Sequence, residues 1–148
     1  MVLKRKSRIL FISHSYPPIM GGVESQNFHL ARGLGRIADV KILANGKGKI
    51  WLPVFIPLAL LRGIFLMVRC DVCLVGNGVL APVAAVLKFF HPRKRFFSVV
   101  HGLDITFATK KGILSKIYRV VNISSLKGMD RLFVVGNCTI EEAVKVGI

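Results

Sequence analysis

Strand-length apolar runs alternate with helix-patterned segments along the whole chain, and that alternation restricts the fold to a layered α/β sheet. The runs fall at residues 8–13, 39–44, 71–75, 95–100 and 131–135. Between and after them, residues 23–34, 58–68, 79–90, 112–127 and 137–146 have helical length or spacing. Ile9, Leu10, Phe11 and Ile12 follow one another with no polar residue, as expected of a strand covered on both faces. The pattern predicts α/β architecture with a doubly wound, Rossmann-like parallel sheet. At 148 residues, 53% of them hydrophobic, the chain suits one domain with a substantial core.

In such a sheet the loops that follow strands emerge at one edge, where ligands bind. Two glycine-containing loops are placed to reach it. Tyr16-Pro17-Pro18-Ile19-Met20-Gly21-Gly22-Val23-Glu24 follows the first run and opens a helix. Free N–H groups at a helix start attract anions, and glycine lets a phosphate approach closely. A lone Gly-Gly is more often just a turn; the Pro-Pro stiffener and Glu24 in the first helical turn make this one more specific. His101-Gly102-Leu103-Asp104 follows the fourth run. A lone histidine is usually a satisfied core residue, but a strand's carboxyl end before Gly102 and Asp104 favours a cleft. His14 and His29 carry weaker versions of that argument.

Gly76-Asn77-Gly78-Val79-Leu80-Ala81 fits the GxGxxA spacing of a dinucleotide loop. The acidic residue due about 20 positions on to hold a ribose is missing, and the run before it is not the first. It reads as a strand-to-helix turn. Cys70 and Cys73 have CxxC spacing, but a structural zinc site needs four ligands and no second pair exists. The odd cysteine count, with Cys138, fits a reducing compartment. No Asp-x-Asp and no ligand cluster of metal spacing is present, so no metal is expected. Thr139-Ile140-Glu141-Glu142 has capping-box spacing, and Gly147 is placed to close the last helix.

A formal net charge of +15 and a pI near 10.5 call for an acidic partner. The basic clusters lack the interleaved aromatics or recognisable module of a nucleic-acid reader, so no nucleic acid is expected. The basic amino terminus is followed by too short an apolar stretch for a signal peptide. Residues 50–68 approach the length of a membrane span. Pro53, Pro57, Arg62 and Gly63 argue against one, and the reading is an extended entry through Pro57 followed by a helix at 58–68. That helix is apolar almost all round, so it is either buried on both sides or dipped into a lipid surface.

A strand, then Tyr-Pro-Pro-x-x-Gly-Gly-Val-Glu, then a helix ending Leu-Ala-Arg-Gly-Leu resembles the opening of family 4 (group 1) retaining glycosyltransferases. His101-Gly102-Leu103-Asp104 is similar to that family's His-Gly-x-Asp stretch, and residues 137–147 to the element closing its amino-terminal half, with Asn137 where a serine is usual. The resemblance spans essentially all 148 residues. It implies the acceptor-side half of a GT-B enzyme, with the donor-holding carboxyl-terminal domain absent. It implies transfer of a sugar from a nucleotide-sugar donor to a glycan or lipid-linked acceptor, with no cofactor or metal. Gly21 and Gly22 would lie on the donor diphosphate and His101 at the reaction centre. Glu24, Asp104 and His14 would be acceptor or loop-ordering candidates. With the charge and the apolar helix, the expectation is a cytoplasmic protein, peripheral on the inner, anionic membrane face. Two other readings stay open: a dinucleotide-binding domain using Gly76 and Gly78, and a non-enzymatic basic module for lipid or nucleic acid.

Overall fold

The structure, a computed structural model, describes residues 5–102, 112–145 and 147–148. Five strands form one sheet: β1 (Arg8–Ser13), β2 (Asp39–Ala44), β3 (Val72–Val75), β4 (Arg95–Val100) and β5 (Arg131–Val134). Their order is β2-β1-β3-β4-β5, and all four pairings are parallel. The chain steps from β1 out to β2, then returns to place β3 on the other side of β1. That reversal opens a crevice at the carboxyl ends of β1 and β3.

Side-chain alternation explains the two-faced core. Leu10 and Ile12 of β1, with Cys73 and Val75 of β3, pack against α2 (Leu52–Met67) and α3 (Ala81–Phe90). Phe11, Leu74 and Val99 face the other way, against Ala31, Leu30 and Leu34 of α1 (Gly22–Gly35). A third cluster joins Val100 and Leu132 to Ile123, Leu126 and Ala143. These come from a helical stretch and from the last helix. The stretch runs from α4 (Ile113–Tyr118) through a π turn (Arg119–Ile123) into α5 (Ser124–Lys127). The last helix is α6 (Asn137–Lys145). The sheet is the doubly wound, Rossmann-like α/β fold that the alternation predicts.

Three local expectations need correction. Helix α2 begins at Leu52, after a 3-10 turn at Lys49–Trp51, and runs straight through Pro57. Pro53 lies in the first turn, where its missing N–H costs nothing. Pro57 forfeits one hydrogen bond, which is offset by burying Phe55 on the sheet side four residues before Ala59. The helix expected at 112–127 is interrupted by the π turn. The capping box does not form, because α6 starts at Asn137 and carries Thr139 inside its first turn, buried. Gly147 does close that helix: at φ +79° its N–H reaches the Val144 carbonyl at 3.0 Å, and the Ile148 N–H reaches that of Ala143 at 2.9 Å. Those two bonds form a Schellman cap.

Candidate functional site

The carboxyl ends of the strands are tied together by buried polar side chains. Ser13, the last residue of β1, is fully buried, and its Oγ donates to the Ser15 carbonyl at 2.8 Å. Asn27 projects from α1 into the same place. Its Nδ2 donates across Ser13 Oγ (2.9 Å), the Ser15 carbonyl (3.1 Å) and Asn77 Oδ1 (3.2 Å). One amide thus links β1, α1 and the turn after β3. Asn27 Oδ1 has no partner among the described residues. It faces Gly76, where a Cβ would sit 2.7 Å from it and 2.9 Å from Phe11 Cζ. Gly76 is glycine because the strand end is pressed against Asn27 and Phe11. That packing by itself accounts for the first glycine of GxGxxA.

The Tyr16–Pro18 loop is anchored by its aromatic ring, which lies 6.5 Å from Phe11 and 6.1 Å from Phe28 between centroids. Burial there pushes the Tyr16 hydroxyl pKa above its usual 10. After β2, Asn45 Nδ2 donates to the Gly48 carbonyl at 2.8 Å and to the His14 carbonyl at 3.3 Å. That amide fastens the β1 loop to the turn that carries Lys49.

Above this network lies a cavity of about 560 Å³ at the carboxyl edge. It is lined by His14, Ser15, Gly22, Val23 and Glu24 after β1, Lys49 and Leu52 after β2, Asn77 and Val79 after β3, His101 after β4, and Tyr118 of α4. The amino end of α1 opens onto it with Gly21 as an extended cap and no side-chain cap hydrogen bond. A Cβ on Gly22 would meet nothing within 4 Å, so the space over the helix start is open. At Gly21 the Glu24 carboxylate folds back over the backbone, as the positive end of a helix dipole favours. His101 is buried, and its Nε2 donates to the Gly76 carbonyl at 3.1 Å. The arrangement supplies a helix amino end and one ammonium for an anion, with an imidazole fixed at the neighbouring strand end.

The structure therefore brings His14, Gly22, Glu24 and His101 onto one cavity, with Gly21 capping the helix beside it. Asp104 lies outside the described residues. His29 is on α1 and does not line the cavity. Sequence reasoning missed Lys49, Asn77 and Tyr118 as lining residues. Cys70 and Cys73 are buried free thiols in the core, and burial raises both pKa values. Among the described residues no three His, Cys, Asp or Glu side chains group as a metal site.

No protein-family model matches the chain, and no curated protein does. Among solved structures it is similar to TubZ of Clostridium botulinum phage c-st, with a TM-score of 0.52 at 11% sequence identity. The match covers 97% of this chain and 57% of that one, so the chain spans little more than half that protein's length. At this identity the likeness bears on the fold alone, and it agrees with a Rossmann-like sheet.

Proposed function

We propose that this chain is the acceptor-side half of a retaining glycosyltransferase that uses a nucleotide-sugar donor. The observation that carries the reading is the shared cavity. An open glycine helix start after β1 and a buried imidazole after β4 line one space, together with Lys49. In this reading the N–H groups at Gly22 and the Lys49 ammonium hold the donor diphosphate. During transfer the bond from the anomeric carbon to the diphosphate oxygen breaks, a bond to the acceptor oxygen forms, and the acceptor hydroxyl's proton passes to the leaving diphosphate oxygen. The diphosphate leaves with the electron pair, and a preorganised positive end lowers the cost of that developing charge. His101, held by the Gly76 carbonyl, positions the transferred sugar; Glu24 offers a carboxylate to a hydroxyl. The donor's nucleoside is held by a second domain facing this edge. The dinucleotide reading is less well supported, because the glycine that would admit a cofactor at residue 76 is taken up by packing against Asn27 and Phe11.

The test is a transfer assay with labelled nucleotide sugars. Residues 1–148 alone give no transfer; joined to a donor-holding domain they do. His101→Ala then lowers turnover far more than it lowers the unfolding midpoint. Robust transfer by residues 1–148 alone contradicts the half-enzyme reading. Unfolding of the His101→Ala protein in place of lost turnover makes His101 structural.

A further inference from the structure

Helix α2 belongs to the stretch Lys49–Met67, which among the described residues is long and apolar enough to cross a membrane, yet little of that stretch is buried. The helix lies flat on the sheet. Its buried stripe is Phe55, Ala59, Gly63 and Met67. Gly63 lets α3 come close, since a Cβ there would sit 2.9 Å from Leu87 Cδ1. His91 Nε2, just past α3, donates to the Ile64 carbonyl at 3.0 Å. Among the described residues the helix is thus held from one side only.

On the opposite side Val54, Leu58, Leu61, Phe65 and Val68 recur at spacings of four and three and are between 39% and 75% exposed. Phe89, on the outward side of α3, is 80% exposed. Both helices cover the same sheet face, in one cluster with Leu10, Ile12 and Val75, so their outward faces point the same way. Exposed apolar residues ranged on one side of a chain in this way mark an interaction site.

Charge identifies what covers it. Lys47, Arg62, Arg69 and Arg93 are exposed around the stripe. Between residues 40 and 103 the sole acidic side chain is Asp71, which is already paired with Arg8 at 3.6 Å. At the amino end Lys47 Nζ stands 4.3 Å from the centre of the half-exposed Trp51 ring, a pairing suited to a membrane interface. A twofold pairing with a second copy would set this basic rim against itself on a chain of net charge +15. A span would strip the buried stripe from the core and carry Arg62 into hydrocarbon.

We infer that the outward face of α2, extended by Phe89, docks in the plane of an anionic phospholipid bilayer. Val54, Leu61 and Phe65 enter the acyl boundary, and the basic rim lies among the headgroups. Lys49 and Leu52 at the start of α2 also line the cavity, so docking brings the cavity beside the headgroups. The inference does not depend on the proposed sugar transfer and is tested without it.

The experiment is vesicle flotation of the full chain with phosphatidylcholine alone and with equal parts phosphatidylcholine and phosphatidylglycerol. The protein floats with the anionic vesicles and is released by salt and by alkaline carbonate. Each rim cation strengthens attachment on the order of fivefold, so Arg62→Glu with Arg69→Glu weakens it roughly 25-fold or more. Leu61→Ser with Phe65→Ser abolishes flotation while leaving the unfolding midpoint unchanged. Equal binding to both vesicles, or insensitivity to either pair of substitutions, overturns the inference. So does retention after carbonate, which indicates a span. A dimer that Leu61→Ser with Phe65→Ser dissolves, with no flotation, assigns the face to a second copy.

Discussion

Substitution of Gly76 by alanine tests the polar knot beneath the cavity. The new methyl would sit 2.7 Å from Asn27 Oδ1 and 2.9 Å from Phe11 Cζ, and both side chains are fully buried. Neither yields easily: the Asn27 amide is held by three acceptors, and Phe11 packs among Ala31, Leu74 and Val99. Overpacking of this kind costs about 1–3 kcal/mol. Reduced freedom of the unfolded chain returns about 0.4–1 kcal/mol, which leaves a net loss of about 1–2 kcal/mol. For a chain of this length that lowers Tm by about 2–8 °C. Asn27→Ala alone removes the three bonds its amide donates, leaves the Ser15 carbonyl and Asn77 Oδ1 to share the Ser13 hydroxyl, and costs about 1–3 kcal/mol. In the double variant the clash with Oδ1 is gone and only the Phe11 contact remains. The two losses therefore fail to add, with a coupling of about 0.5–1.5 kcal/mol toward stability. Urea unfolding of the four proteins measures this. Additivity within about 0.3 kcal/mol would refute the packing account of Gly76.

Two further predictions concern titration and thiol access. The Arg8 backbone N–H, at 2.9 Å, is the main cause holding the Asp71 carboxyl below its usual range. At Asp130 burial pulls upward, but the Lys88 ammonium at 2.9 Å and the Phe96 N–H at 2.7 Å outweigh it and lower the pKa. Folded values below the unfolded value of about 3.9 give stability that is complete above that pH and lost as pH falls through the folded values. The urea midpoint should stay level from neutral pH to about 5 and drop below about 4. Asp71→Asn with Asp130→Asn should flatten that acid limb, and an unchanged limb contradicts the assignment. Cys138 is exposed while Cys70 and Cys73 are buried with raised pKa values, so a thiol reagent should modify one cysteine per folded chain. Rapid modification of all three before unfolding contradicts that burial.

The strands were legible because a strand covered on both faces must be apolar without a break, as Ile9 to Ile12 are. The edge location of Gly22 and His101 follows from the same reading, since parallel strands deliver their loops to one side. Asn27 left a trace as the one polar residue in the apolar stripe of α1, but its partners Ser13 and Asn77 are 14 and 50 positions away. Such a tertiary cluster has no local period. Lys49 had no signal at all, being one of 22 Lys and Arg residues; only its place after β2 brings it to the cavity. Pro53 and Pro57 make the start of α2 read as an extended entry, because a proline in a helix interior forfeits a hydrogen bond. The buried Phe55, one turn before Ala59, extends the helix toward its amino end.

The central claim is that the amino end of α1 and the His101 strand end form one anion-binding site. Amide chemical-shift mapping during titration with inorganic pyrophosphate and with nucleoside diphosphates tests it most directly. Shifts should concentrate at Gly21, Gly22, Val23, Lys49 and His101. Gly22→Val should remove them while keeping the unfolding midpoint, because a side chain there fills open space. Shifts centred instead on Gly76 and Gly78 and elicited by a nicotinamide dinucleotide, or none at the α1 amino end with any of these ligands, would contradict the account.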